Sequence, residues 1–225
     1  MNENWSKDEL KASVEAYVEM QRKVRAGLSF VKKLYYEQLA EKYGRTSKAF
    51  EYRMQNISYV LSLMGRDWLS GLKPAKNVGA KNAAEIESLI STIEGRKAPE
   101  VAAFEIKVRE VGKQRHLQKP NGNLIPKASS VVITQFQRDP FVKAWILKQA
   151  LGKCECCKTP APFSGADGLP FLEVHHVRQL ADDGSDTVSN AVALCPNCHR
   201  ELHYGINAPS LVVNLYDTIT RLVRE

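Results

Sequence analysis

The sequence predicts an α+β protein in three parts. These are an all-helical N-terminal domain over 1–93, a basic connector over 94–138, and a small zinc-stabilised domain of strand, loop, strand and helix over 139–225. Three observations predict it. Apolar residues recur at helical spacing through the first part. All five cysteines and four of the five histidines lie in the last third. Inside that third a β-like run, "FLEVHHVRQL", is followed by a turn-rich loop and then by "ALCPNCHRELH", which reads as a strand running into a helix.

The first helix is signalled by Ser6-Lys7-Asp8-Glu9, which has the form of a capping box with Ser6 as N-cap. Leu10, Val14 and Val18 follow at i+4 spacing and share one face. A second helix is expected near "SFVKKLYYEQLAEKY", with Phe30, Leu34 and Leu39 inward and Gly44 as its stop. A third starts at Thr46 or Ser47 and ends near Gly65, and a fourth covers 82–93. The segment "LAEKYGRTSKAFEYRM" is similar to a helix-turn-helix. On it Arg45, Lys48, Arg53 and Gln55 are residue types that reach phosphates and base edges, so they are candidate DNA contacts. The same types also occur on ordinary solvated helix faces. The remaining aromatics of this region sit at core-like spacing and mark no pocket.

The connector holds Lys107, Arg109, Lys113, Arg115, Lys119 and Lys127, and Lys113 and Arg115 are candidate backbone contacts. "QKPNGNLIPKASS" reads as a turn or short hairpin. "RDPFVKAWILKQALG" then gives a short helix after Pro140, packing Phe141, Trp145 and Leu147 or Ile146.

The net charge of the 225 residues is +7 and the pI about 9.1, a balance that suits an anionic partner. It is unevenly spread. Residues 1–98 carry +5, residues 99–153 carry +6, and residues 154–225 carry −4. Attraction for phosphate therefore lies upstream of the cysteines. No run of about 18 apolar residues exists to span a membrane. "MNENWSKDELKA" lacks a signal pattern, so a cytoplasmic location is expected. That makes a disulfide framework improbable and metal binding the better use of the cysteines.

Cys154 and Cys157 have C-x-x-C spacing, as do Cys195 and Cys198. Two such pairs make two knuckles around one tetrahedral zinc. Cys156 is left out, because adjacent residues seldom bind one ion with good geometry. Four thiolates leave no open position, so this zinc is structural. His199 and His203 stand at i and i+4, one turn apart on one helix face. His175 and His176 are neighbours on a strand and point to opposite faces. One can ligate a second metal while the other faces a substrate.

The pattern "EVHHV…N…ALCPNCHRELH" resembles that of the HNH (ββα-metal) nucleases, with Asn190 as the middle residue. The wider run from "RDPFVKAWIL" through "CECC" to "ALCPNCHRELHYG" looks like the nuclease domain of McrA-like, modification-dependent restriction endonucleases. The resemblance covers about residues 138–225, and the helical N-terminal part matches only loosely.

It implies a metal-dependent enzyme that hydrolyses phosphodiester bonds in double-stranded DNA and restricts modified DNA, such as DNA carrying 5-methylcytosine, in the manner of type IV restriction. His176 would be the general base, since an imidazole with an ordinary pKa near ~6.5 can take a proton from water. His175, His199 and His203 would ligate a divalent catalytic metal. Imidazoles favour Mn²⁺, Ni²⁺, Co²⁺ or Zn²⁺ over Mg²⁺. Asn190 would brace the loop and orient His176. One such site cuts one strand, so a double-strand break calls for a homodimer or two sequential nicks. Two other readings fit parts of the sequence. One is a phage or mobile-element nicking enzyme acting on unmodified DNA. The other is a non-catalytic, zinc-stabilised regulator, which would have no use for His175, His176, Asn190 and His199 together.

Overall fold

The structure, a computed structural model, describes residues 5–95, 101–126 and 136–225. The chain divides into two compact units, Met1–Thr134 and Gln135–Glu225.

Unit 1 is helical. Helix α1 (Lys7–Arg25) starts with the expected box: Glu9 N–H donates to Ser6 Oγ at 3.2 Å, and Ser6 N–H donates to Glu9 Oε2 at 2.6 Å. Helix α2 (Lys32–Tyr43) ends at Gly44, whose φ of 72° is the left-handed cap that glycine adopts without strain. Helix α3 (Ser47–Leu63) opens on Thr46, whose side chain accepts from Ala49 N–H. Helix α4 spans Ala80–Ile93. The core joins Leu10, Val14 and Val18 of α1 to Leu39, Phe50, Met54, Ile57 and Ile86.

Two expectations fail here for tertiary reasons. Leu34 is 55% exposed, because α2 turns only Tyr36 and Leu39 fully inward. The front of the connector is not a linker but a fifth helix, α5 (Val101–Gly112). It buries Ala102 and Ile106, and it packs on α3 and α4. Its start is held by Glu87, whose carboxylate accepts from the N–H groups of Val101 (3.0 Å) and Ala102 (2.9 Å). A carboxylate there satisfies donors that the helix cannot and meets the positive end of its dipole. No strand forms over 118–126, so the hairpin is absent among the described residues, and positions 127–130 lie outside them.

Unit 2 begins with helix α6 (Pro140–Gln149), capped by Asp139, whose side chain accepts from Phe141 N–H at 2.7 Å. Its inward stripe is Val142, Ile146 and Ala150, at i+4 spacing. Phe141 (81% exposed) and Trp145 (41% exposed) therefore point away, against expectation. Strands β1 (Glu173–His176) and β2 (Ala191–Leu194) pair antiparallel, with His175 opposite Val192 and His176 opposite Ala191. Helix α7 (Pro196–Tyr204) follows β2 directly, and α8 (Ala208–Thr218) packs on α7. All four residues of β2 are buried, with Ile146, Leu202 and Leu215 around them. Truncating Ile146 to alanine in such a core costs about 2–5 kcal/mol.

Candidate functional site

The cysteines come together by local geometry. Cys154 starts a tight loop after α6 in which Lys158 N–H donates to Cys154 O at 2.8 Å and Lys158 takes a φ of 62°. Cys195 is the N-cap of α7, its sulfur accepting from Cys198 N–H at 3.5 Å. One ligand atom from each of Cys154, Cys157, Cys195 and Cys198 lies within 4.8 Å of all the others. The Cys157 and Cys195 sulfurs are 4.0 Å apart, close to the roughly 3.8 Å edge of a tetrahedron with zinc–sulfur bonds of about 2.3 Å. All five cysteines are free thiols.

The acidities fit a cation site. Burial opposes ionisation of Cys157, but hydrogen bonds from Thr159, Cys154 and Cys198 outweigh it and bring the thiol down to about 6. Burial drives the Cys154 and Cys198 thiols up. The set supports one thiolate readily, and a dication is what lets all four ionise side by side. The knuckle is also tied to the sheet. Glu155 N–H donates to Ala193 O, and its carboxylate accepts from Ala193 N–H and, in bidentate fashion, from Arg221 at 2.7 Å.

The second group is His175, His199 and His203, again with ligand atoms within 4.8 Å of one another. Ring centroids are 4.9–5.0 Å apart in all three pairs. Helix α7 supplies two rings one turn apart, and β1 supplies the third. Glu173 Oε2 lies 2.8 Å from His199 Nδ1, which leaves His199 Nε2 for the cluster, 3.2 Å from His203 Nε2. His175 is held well below the ordinary histidine range by burial and by the neighbouring His203 and His199. It therefore stays neutral, the form that ligates metal.

His176 points elsewhere, as strand alternation requires. Its Nε2 is 2.7 Å from Asp186 Oδ1. Asp186 also accepts from Asp139 N–H at 2.5 Å. Burial raises its pKa, but the bonds from Asp139 N–H and His176, with Arg138 nearby, bring it down, so Asp186 is an anion. An ionised Asp186 can only accept, so His176 donates from Nε2–H, and Nδ1 is the nitrogen outside that bond.

Asn190 is fully buried. Its Oδ1 accepts from Arg178 N–H at 2.8 Å, and its Nδ2 donates to Arg178 O and Ser185 O at 2.9 and 2.8 Å. It thus closes the loop between β1 and β2 and fixes Ser185, the residue before Asp186. Gly184 is required in that loop, since an added Cβ would lie 2.1 Å from Arg178 O. A cleft of about 310 Å³ opens onto His176, Asp186 and His199, with Arg138 and Lys143 on its wall.

The sequence reading missed Glu173, Asp186, Arg138 and Lys143. Glu173 sits two positions before His175, on the same strand face, which was a usable signal. Nothing in the sequence pairs Asp186 with His176.

The structure places the expected DNA contacts of unit 1 differently from one another. Helix α3 is the central helix of its bundle rather than an exposed recognition helix, with Phe50, Met54, Ile57, Val60 and Leu61 all at 0% exposure. Arg45 is paired to Glu9 (Nε to Oε1, 2.5 Å), and Arg53 is only 7% exposed. Gln55 is half-buried, and its carbonyl accepts from Ala75 N–H. Lys48 is exposed and pairs with Glu51 at 2.8 Å. Lys113 and Arg115 follow α5 and are exposed.

Residues 154–205 match the family described as HNH endonuclease. The C-terminal unit carries an HNH domain. A curated relative, the type IV methyl-directed restriction enzyme EcoKMcrA of Escherichia coli (strain K12), is 51% identical over 109 residues. That stretch is 48% of this chain and 39% of the relative, so the chain spans well under half of the protein it matches. Among solved structures, the type IV phosphorothioation-dependent restriction endonuclease ScoMcrA is 40% identical. The match covers 37% of this chain and 17% of that one, with a TM-score of 0.35. The HNH match spans both cysteine pairs, His175, His176, Asn190, His199 and His203. Among the described residues no helix is long and apolar enough to cross a membrane.

Proposed function

We propose that this chain is a metal-dependent DNA endonuclease that hydrolyses phosphodiester bonds at the His176 cleft and restricts modified DNA. One observation carries the reading. A three-histidine group suited to a dication stands beside a histidine held by a carboxylate, and members of both line one cleft with two cationic side chains. A non-catalytic zinc-binding regulator would need only the cysteine group.

The roles follow from chemistry. His176 accepts a proton from the attacking water on Nδ1, and Asp186 stabilises the imidazolium that forms. The new bond from water oxygen to phosphorus forms as the bond to the 3′ oxygen breaks, and that oxygen is protonated from solvent. Arg138 and Lys143 hold the phosphate in the cleft. Asn190 positions His176 through the loop that carries Asp186. His175, His199 and His203 would hold a divalent cation, which supplies positive charge against the scissile phosphate and the departing oxygen. The donor set is all imidazole, so Mn²⁺, Ni²⁺ or Co²⁺ should support activity at least as well as Mg²⁺. The four cysteines would hold a structural zinc. The dependence on modified DNA is taken from the relative's methyl-directed activity, with 5-methylcytosine the first modification to test.

The test is cleavage of one plasmid, unmodified and cytosine-methylated, with Mg²⁺, Mn²⁺ or Ni²⁺. Cleavage of the methylated form alone, lowered about 10²–10⁴-fold in His176→Ala, supports the whole reading. Equal cleavage of both forms keeps the nuclease and removes the methylcytosine requirement. Unimpaired cleavage by His176→Ala would sink the assignment of the base.

A further inference from the structure

Unit 1 contains a cavity of about 1110 Å³, lined by the start of α1, one face of α3 and the start of α4. Its lining includes Trp5, Arg45, Tyr52, Arg53 and Lys81. Arg53 is the unusual member. It is 7% exposed, and its Nε is buried without a hydrogen-bond partner. Its guanidinium makes no ion pair or hydrogen bond among the described residues, only a stack over the Trp5 ring at 4.3 Å. Arg45 also lies over that ring, at 4.6 Å, and is the one that Glu9 neutralises. A buried guanidinium beside a second cation is costly unless an anion completes it. Burial first and then Arg45 pull its pKa down to about 10, against a smaller opposing pull from the Glu9 carboxylate, which is already engaged by Arg45.

A second feature faces the same cavity. Helix α4 is 14 residues long, has Gly79 as N-cap, and has neither a side-chain cap nor an acidic residue in its first turn. Gly79, Lys81 and Asn82 line the cavity. The start of a helix offers unpaired N–H groups and the positive end of its dipole. An uncapped helix start and an arginine with no hydrogen-bond partner among the described residues thus converge on one space, with Lys7 and Lys81 in its lining and Glu85 as the acidic member. Trp5 already carries two guanidinium groups, so its faces are poorly suited to stack a base.

We propose that this cavity is an anion site that takes a phosphodiester of the DNA strand, with Arg53 and the start of α4 as its ligands. The fork of Arg53 suits two phosphate oxygens. The proposal rests on the reading of DNA as substrate and adds the place where unit 1 grips it. It replaces an exposed recognition helix by a pocket whose floor is α3.

The experiment is fluorescence anisotropy of the full chain with a labelled duplex, unmodified and methylated, across a salt series, in the His176→Ala background. Arg53→Gln should weaken binding about tenfold or more at low salt and reduce the salt slope by about one. Asn82→Asp is the control for folding. A carboxylate in the first turn of α4 favours the helix, so its melting temperature should hold or rise while DNA binding weakens. Unchanged affinity and slope in both variants would overturn the proposal, as would a wild-type chain that binds neither duplex. A melting shift with inorganic phosphate that Arg53→Gln abolishes, with DNA binding intact, would assign the pocket to a small phosphate compound and overturn the DNA assignment. Plasmid cleavage with His176 intact separates the two ideas. In Arg53→Gln the KM for plasmid should rise in step with the lost affinity, whereas absent cleavage by the parent chain counts against the nuclease reading only.

Discussion

His199 shows how one neighbour sets a ligand. Glu173 holds its Nδ1, so Nε2 is left to meet His175 and His203. Outer partners of this kind raise ligand basicity and fix the ring. Glu173→Gln should therefore raise the Mn²⁺ concentration needed for half-maximal cleavage about 10–100-fold. A metal titration of plasmid cleavage reads this, and an unchanged midpoint would remove Glu173 from the site. In unit 1, Glu9 is held below the ordinary carboxylate range, first by its bond from Arg45 and then by the Ser6 cap, against burial. Its folded pKa lies below its unfolded one, so its stabilisation is present above the unfolded value near 4.5 and is lost as pH falls through the folded value. Thermal melts from pH 6 to about pH 3 should fall more steeply in the parent chain than in Glu9→Gln. Equal slopes would contradict this. At this scale the two groups of close-set side chains were legible, because metal-binding patterns use fixed residue types at fixed spacings. Asp186 and the buried state of Arg53 were not, because each depends on a neighbour far away in sequence or on packing.

The loop between β1 and β2 works as one element. Asn190 gives it three hydrogen bonds, Gly184 gives it the close approach to Arg178, and Asp183 takes a φ of 63°. Asn190→Ala would strip partners from Arg178 and Ser185, at about 1–3 kcal/mol. It should also lower turnover more than DNA affinity, because His176 loses its registered partner. Denaturant unfolding and a comparison of kcat with KM check both parts, and a loss confined to KM would speak against a positioning role. The start of α1, the caps of α2 and α3 and the order of strand, loop, strand and helix were readable from local signals. Helix α5 was not, because its start depends on the distant Glu87 carboxylate. Phe141 and Trp145 misled because the inward stripe of α6 is set by β2, not by the largest side chains of the helix.

At the scale of the whole molecule, the two units have different sources of order. Unit 1 has an apolar core drawn from five helices. Unit 2 has a small core fastened at its cysteine group. Calorimetry with and without a strong zinc chelator should show one transition that moves and one that stays. Two transitions moving together would show that the units do not unfold separately. The uneven charge, net positive before Cys154 and −4 after it, was legible in the sequence itself. The cavity of unit 1 was not, because a cavity belongs to no single stretch of sequence.

Helix α7 carries Cys195 at its cap, Cys198 and His199 side by side, and His203 one turn on. The two candidate metal groups therefore share a rigid body. Ordering that helix for one ion would prepay part of the ordering for the other, so the two occupancies would be thermodynamically linked and each ion would tighten the hold on its neighbour. A chain that has not acquired its structural ion would then hold its catalytic one poorly, and DNA scission would wait on maturation of the protein.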